Sequence, residues 1–301
     1  MLLDSSGKSF EESRSLNQEL TFTTLQNELN KRNLESGFEQ MKTLKLIGDD
    51  KLFTNLALLL SDQCVHTIKI AVFQGTDNAI FRGKREISGS VLKQLDDAYN
   101  YLDLQNKTKA TFSGLYRTDT RDYPEDALRE ALLNSIIHRD YLFSGSTIIN
   151  VFDDRIEFIS LGGLVSGITM ESIFLGASQS RNPNLAAVFY RLRLVESYGT
   201  GIRKIIRLYD GFEPLPAFRT AEGVFVVEMK NRNEVKVRNK NTLRDNIYEF
   251  VKTKQEVMRK DIENAFGFGS TKAYKYLKML CDEGVISQKL NGNRTVYKLE
   301  I

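Results

Sequence analysis

The chain has 301 residues, 41% hydrophobic and 27% charged, with 20 Gly, 4 Pro and no Trp. That composition excludes the disordered, collagen-like and small disulfide-stapled classes, and the length suggests about two or three folding units. Net charge is +3 but unevenly placed: Asn231 to Ile301 carries 15 Lys and Arg against 9 Asp and Glu, while Met1 to Lys230 carries 27 against 30. A neutral-to-acidic body with a basic tail points the tail toward a polyanion.

The longest apolar run, Leu56 to Leu60, is five residues, against about 18 needed to span a bilayer. The first thirty residues are polar and acidic, with no central apolar block. No signal peptide or membrane partner is expected, and the chain reads as cytoplasmic. Cys64 and Cys281 are far apart and outside any C-x-x-C, and with His66 and His138 they are too few for a Cys/His zinc site. Both cysteines read as small buried hydrophobes.

In chain order, Leu16, Leu20, Leu25, Leu29 and Leu34 sit at loosely helical spacing, so the first forty residues are expected to be helical. Helical signal continues over Phe53–Leu60. Two strands are expected at Thr67–Phe73 and Ala79–Phe81, joined by a turn at Gly75–Asn78. Helical period returns from Val91 to Leu104. A second block starts near Thr118 with a helix from Pro124 to about His138, where Glu125 and Asp126 in the first turn suit the helix dipole. Strands at Thr147–Phe152 and Arg155–Ile159 flank an Asp153-Asp154 turn. Short helices follow at Met170–Phe174, Leu185–Leu192 and Ile202–Tyr209, and a strand at Val224–Met229 closes the block. Asn231 to Asn241 is polar and basic without apolar period, and reads as a linker.

The Pro124–His138 helix places Glu130 and Asn134 four residues apart, hence on one face, opposite an apolar stripe of Ala127, Leu128, Ala131, Leu132 and Ile136. A carboxylate and a carboxamide so placed could polarise a water and ligate Mg²⁺, a hard ion that takes oxygen donors. By spacing alone, the exposed polar face of an amphipathic helix accounts for the pair better. Gly162-Gly163 follows a strand, and Gly199-Thr200-Gly201 precedes a helix, where free amides make an anion site. Each alone is equally a turn.

In order, these pieces resemble a known family. Tyr123 to Asn134 with Ile137-His138-Arg139-Asp140-Tyr141, then Asp154 to Phe158, Gly162-Gly163-Leu164, Ser180-Arg181-Asn182-Pro183 and Tyr198 to Ile202, look like the signature of prokaryotic transcriptional regulators related to the C-terminal part of RecG-type helicases. The resemblance runs from about Leu20 to Lys230. That family joins an N-terminal AlbA/Schlafen-like domain to a divergent GHKL (Bergerat-type) ATPase-like domain, often followed by a winged helix. The AlbA/Schlafen-like domain has no counterpart here, so the chain is expected to begin beyond it. The resemblance implies that Glu130 polarises water and that Asn134 holds Mg²⁺ against ATP phosphates. It makes Gly162 and Gly163 the first glycine box, and Gly199 and Gly201 the second, at the phosphate lid. One departure bears on adenine: Ser160-Leu161 stands where such ATPases carry an Asp, and a hydroxyl is a weaker acceptor than a carboxylate.

In the tail, Leu243, Ile247, Phe250 and Val251 give one amphipathic helix, and Ile262, Ala265 and Phe266 a second. Ser270 suits the N-cap of a third, with Ala273, Leu277 and Leu280 inward and Thr271, Lys272, Lys275 and Lys278 outward. Strands at Val285–Leu290 and Thr295–Leu299 flank Asn291-Gly292-Asn293, a strong hairpin signal. Three helices and a hairpin make a winged helix-turn-helix, with the third helix suited to a major groove and Arg294 on the wing.

The fold expected is therefore α/β (α+β) in three parts: an N-terminal α/β region (1–118), a GHKL ATPase-like sandwich (119–232) and a winged helix-turn-helix (233–301). The function expected is a transcriptional regulator binding double-stranded DNA, with an ATPase-like domain for ATP and Mg²⁺. Two rivals stay open: a slow Mg²⁺-dependent ATPase in DNA metabolism, and a protein-interaction scaffold with a dead nucleotide site. A homo-oligomer is also left open.

Overall fold

The computed structural model describes residues 9–196, 201–234, 236–237, 243–291 and 294–299. It is a mixed α/β structure of two compact units, Met1–Lys236 and Val237–Ile301.

The first unit opens on a 3₁₀ turn, Phe10–Glu12, followed by α1 (Thr23–Asn30), α2 (Phe38–Thr43) and α3 (Asn55–Leu60). Of the leucines at loosely helical spacing, only Leu25 and Leu29 lie on α1 and are buried, whereas Leu16 is fully exposed in a loop. Then come β1 (Ile68–Phe73), β2 (Phe81–Ile87), α4 (Val91–Gln105), β3 (Thr108–Ser113), β4 (Tyr116–Arg121) and α5 (Glu125–Ile137). β5 (Thr147–Val151), β6 (Arg155–Leu161), α6 (Met170–Phe174), α7 (Pro183–Arg191) and α8 (Gly201–Leu208) follow. β7 (Phe212–Glu213), β8 (Ala217–Ala221) and β9 (Val224–Lys230) complete the unit, and β10 (Lys236–Val237) falls at the boundary.

Six strands form one sheet in the order β2-β1-β5-β6-β9-β8. β1 and β5 run parallel, with Ile68 opposite Thr147, and β6 and β9 run antiparallel over seven residue pairs. Side chains alternate strictly along β6, where Ile156, Phe158 and Ser160 point into the core. α4 and α5 supply apolar stripes to the same core, α4 capped by the Ser90 hydroxyl accepting from the Lys93 amide.

Four expectations change. β2 begins where the second strand was expected to end, because it is an edge strand whose Arg82, Lys84, Arg85 and Glu86 are exposed and leave no apolar alternation. The β3–β4 hairpin stands apart from the six-stranded sheet, with Phe112, Leu115 and Tyr116 exposed, and no buried face announced it. The sheet also runs across the boundary placed at 118/119, since β1 and β2 share it with β5 and β6. Asn231 to Asn233 are not free linker. Asn231 is buried and donates to the Asp154 carbonyl, Arg232 donates to Arg121, and Asn233 donates to Asp122.

The second unit comprises α9 (Leu243–Lys254), β11 (Val257–Met258), α10 (Arg259–Phe266), α11 (Ser270–Asp282), β12 (Ile286–Asn291) and β13 (Arg294–Leu299). Its sheet order is β11-β13-β12, and its own core holds Ile247, Val251, Ile262, Ala273, Leu277, Leu280, Ile286 and Tyr297. Gly267, at φ +66°, ends α10 in the left-handed region that favours glycine. Ser270 is the first helical residue of α11 rather than its cap, and Gly269 takes the cap position. Asn291 pairs with Arg294, while Gly292 and Asn293 lie outside the described residues.

Candidate functional site

The site grows from α5. Pro124 stands at its N-cap, and its buried side is Ala127, Leu128, Ala131, Leu132, Leu133, Ile136 and Ile137. The remaining stripe, at steps of four, is Asp126, Glu130, Asn134 and His138. α5 is held at both ends. At the start, Asn106 accepts from the Tyr123 amide (2.9 Å) and donates to the Tyr123 carbonyl (3.0 Å). At the end, the Asn182 side chain donates to the carbonyls of Ile137 (2.8 Å) and Arg139 (2.7 Å), filling acceptors a helix terminus leaves open.

α8 lies along the polar stripe. Lys204 pairs with Asp126 at 3.1 Å, and a methyl group at position 201 would overlap the Glu130 carboxylate as it stands, so glycine lets the two approach without displacing that side chain. The structure thus brings Glu130 and Gly201 together, while Gly199 lies outside the described residues. Burial raises the Glu130 pKa; Arg129 and Lys204 oppose that rise, and Glu196 and Asp126 add to it. Asn134 is half-buried one turn further along.

Gly162 and Gly163 sit at the other end of α5. Gly162 has φ +103°, and a side chain there would strike the Asp140 Cβ at 2.8 Å. Its amide donates to the Gly223 carbonyl (2.8 Å), and a Cβ on Gly163 would press on the Ala221 carbonyl. Both glycines therefore serve close backbone packing, and the Gly162 amide is already spent. Ser160 turns its hydroxyl onto the Phe225 carbonyl (3.4 Å) in the sheet.

A carboxylate nonetheless reaches the first glycine pair from another direction. Asp140, nearly buried, pairs with Arg181 at 3.1 Å, and Arg181 also donates to the Gly163 carbonyl (2.8 Å). Burial, with the Arg181 charge, pushes the His138 pKa down to about 4. The Arg181 Nε and the Ser180 hydroxyl are buried without a partner among the described residues. Asp140 and Arg181 belong to two of the segments that carry the family resemblance, and nothing in their spacing pairs them with each other or with the glycines. Glu11 left no signal either, yet its buried carboxylate accepts the amides of Asn184 (2.7 Å) and Leu185 (3.0 Å) at the start of α7.

On the α5–α8 side Glu130 and Asn134 carry side-chain oxygens on one face, the ligand type Mg²⁺ takes. The unpartnered Arg181 Nε and Ser180 hydroxyl belong to the other end of α5. No group of three or more His, Cys, Asp or Glu able to hold a metal is present among the described residues.

In the second unit, Thr271, Lys272, Lys275 and Lys278 are exposed on α11 opposite its buried stripe, and the Lys272 ammonium lies 4.6 Å over the Phe268 ring. Arg294 begins β13, and its side chain lies outside the described residues. Cys64 is buried, with its thiol pushed up to about 11 by burial, and Cys281 is half-buried. No helix among the described residues is long and apolar enough to cross a membrane.

Residues 145–229 match the family described as "Putative ATP-dependent DNA helicase recG C-terminal". The chain thus carries a RecG-related, ATPase-like segment; the match begins after α5 and so does not include Glu130 or Asn134. No curated protein matches. Among solved structures, the chain is similar to the DIP2311 protein from Corynebacterium diphtheriae, with a TM-score of 0.66 and 18% identity. The alignment covers 99% of this chain and 65% of that one, so this chain spans less than two thirds of that structure. At that identity the likeness is one of fold.

Proposed function

We propose that this chain is a DNA-binding transcriptional regulator, with an ATPase-like site on the α5–α8 face and a winged helix-turn-helix as its second unit. The observation that carries the reading is α11. Its Thr271, Lys272, Lys275 and Lys278 stand in solvent above a buried Ala273–Leu277–Leu280 stripe, in a unit with its own core. A helix so placed suits a major groove, and the β12–β13 hairpin suits a wing. The test is fluorescence anisotropy of the full chain on mixed-sequence duplex DNA across a salt series. Each lost phosphate contact should flatten the log–log slope by about 0.9, so Lys275→Ala with Lys278→Ala should flatten it by roughly 2. Absence of binding at low salt by folded protein would refute DNA recognition.

In the first unit, Asn134 would hold Mg²⁺, and Glu130 would accept a proton from water on the same face. A bound Mg-nucleotide would supply a polarised phosphoryl group. Asn134→Ala should therefore weaken ATP binding, and ATP affinity unchanged by it would sink the assignment. A second reading, a slow Mg²⁺-dependent ATPase, is favoured by one observation: the Glu130 carboxylate lies against Gly201 and has its proton affinity raised by burial, as a general base requires. Glu130→Ala should then spare binding and abolish hydrolysis. A wild type without hydrolysis would leave the regulator reading alone.

A further inference from the structure

The β3–β4 hairpin presents a strand edge that has no partner among the described residues. Its strands join only each other, from Thr108 opposite Arg121 to Ser113 opposite Tyr116, and take no part in the six-stranded sheet. Every residue from Lys107 to Asp119 whose side chain is described is exposed. A two-stranded hairpin is marginally stable at best in water, and further strands or a packed helix are what usually hold one. Its base is held: Arg121 pairs with Asp103 and Glu125, and the Arg121 carbonyl accepts from Arg232. From Tyr116 to Asp119, no hydrogen bond or ion pair reaches outside the hairpin among the described residues.

The ladder fixes which main-chain groups are spare. The Asp122 amide donates to the Lys107 carbonyl (2.8 Å), so Lys107 and Asp122 form a hydrogen-bonded pair. Bonded and non-bonded pairs alternate in an antiparallel ladder, so Lys109–Thr120 and Thr111–Thr118 also bond inward. Arg117 and Asp119 therefore turn their N–H and C=O away from β3. Exposed edges are usually blunted by a bulge, a proline or a run of charge. β2 is blunted in this way: the β1–β2 register shifts between Val72 and Phe73, and Arg82, Lys84 and Arg85 are exposed. β4 pairs without a shift, contains no proline, and alternates opposite charges, Arg117 and Asp119, with threonine. The edge of β3 differs, because it starts against the body, where Lys107, Thr108 and Lys109 line a cavity with the ends of β1 and β5.

The charges decide the partner. Two β4 strands laid antiparallel across a two-fold axis at Thr118 set Arg117 of each copy opposite Asp119 of the other. These are the outward-facing residues, so each such pair can exchange two main-chain hydrogen bonds. Thr118 then faces Thr118, and Tyr116 faces Thr120, a β-branched and an aromatic pair of the kinds that favour sheets. An axis at Arg117 or at Asp119 would set like charges opposite each other, which is destabilising. An axis nearer the base meets Arg121, whose carbonyl is already taken. Self-complementarity about one residue is what an isologous contact needs and what a foreign strand does not.

We propose that two copies of this chain associate through β4, paired antiparallel about Thr118, so that the two hairpins make one continuous four-stranded sheet. The contact runs edge to edge and leaves both faces of each hairpin in solvent. It is small, of the weak and reversible class. It requires neither nucleotide nor DNA, so its test is independent of the function proposed above.

Sedimentation equilibrium of the full chain, from about 1 µM to about 1 mM, should show a monomer–dimer equilibrium. Arg117→Asp and Asp119→Arg should each weaken association at least about tenfold, since each sets like charges opposite one another twice. Mixed one to one, the two variants should associate again. Every pair across the axis is then opposite in charge, although the Arg117–Asp119 ion pair within each chain (2.8 Å) stays broken. Thr118→Cys should give a disulfide-linked dimer under copper phenanthroline, because a non-hydrogen-bonded pair brings Cα atoms to about 4.5 Å, inside the disulfide range. Thr120→Cys, about 14 Å from its counterpart in this register, should not. Circular dichroism and thermal melts establish that each variant is folded. A chain that stays monomeric throughout would overturn the proposal and leave the edge to an extended segment of another protein. Single variants that associate like the wild type, a mixture that stays monomeric, or equal cross-linking of both cysteine variants would overturn it as well.

Discussion

The closest approach in the candidate site, Gly201 against Glu130, yields a quantitative test. Adding a methyl at 201 places a carbon within the volume of the Glu130 side chain, including its inner Cγ, at 3.2 Å. The severe overlap falls on the carboxylate end, so Glu130 must turn aside and its Cγ give by a few tenths of an ångström. Overpacking of this kind costs about 1–3 kcal/mol. Glu130→Ala removes the obstructing carbons, and in that background alanine at a helical position is up to about 1 kcal/mol better than glycine. Gly201→Ala should therefore destabilise the native sequence yet be neutral or favourable beside Glu130→Ala, a coupling of about 1–3 kcal/mol. The assay is urea unfolding by far-UV circular dichroism on wild type, both single variants and the double variant. The second unit's transition serves as an internal reference, because neither substitution lies in it. Equal cost of Gly201→Ala in both backgrounds, within about 0.5 kcal/mol, would show that α8 does not lie on α5 in this way.

Glu130→Gln should stabilise the first unit at neutral pH. A carboxyl with a raised folded pKa stabilises fully below its unfolded pKa and loses that contribution as pH rises through the folded value, so the variant should also flatten stability against pH there. His66 and His138 are both held down to about 4, so stability should be lost as pH falls from about 6.5 toward 4. Histidine proton signals that titrate near 6.5 in the folded chain would refute this. Glu11→Ala leaves the Asn184 and Leu185 amides without their carboxylate and should cost about 1–3 kcal/mol. An unchanged melting temperature would contradict that capping role. Replacing exposed Phe112 and Tyr116 with Ser should leave the melting temperature within about 2 °C, since neither ring is buried; a large fall would mean the hairpin packs against something.

Local periodicity carried what it could carry. The two faces of α5, the buried stripe and basic outer face of α11, and the alternation of β6 were all legible, because each depends on residues within one or two turns or pleats of each other. Glu130 and Asn134 could be placed on one face from spacing alone. What α8 does to that face could not, since the approach of Gly201 to Glu130 depends on packing between segments 71 residues apart. β2 and the β3–β4 hairpin were hidden for a related reason: an edge strand and a free-standing hairpin bury little, so selection for a core leaves no alternating pattern. The resemblance makes Gly162 and Gly163 a first glycine box, and tertiary structure shows what they pack against: Asp140, Arg181 and the β8–β9 turn. Which strands lie side by side was likewise decided by tertiary structure: β1 runs parallel to β5 although β2 follows it in the chain. Parallel pairing of Ile68 with Thr147 joins residues 79 apart, and no local propensity records which neighbour a strand will find.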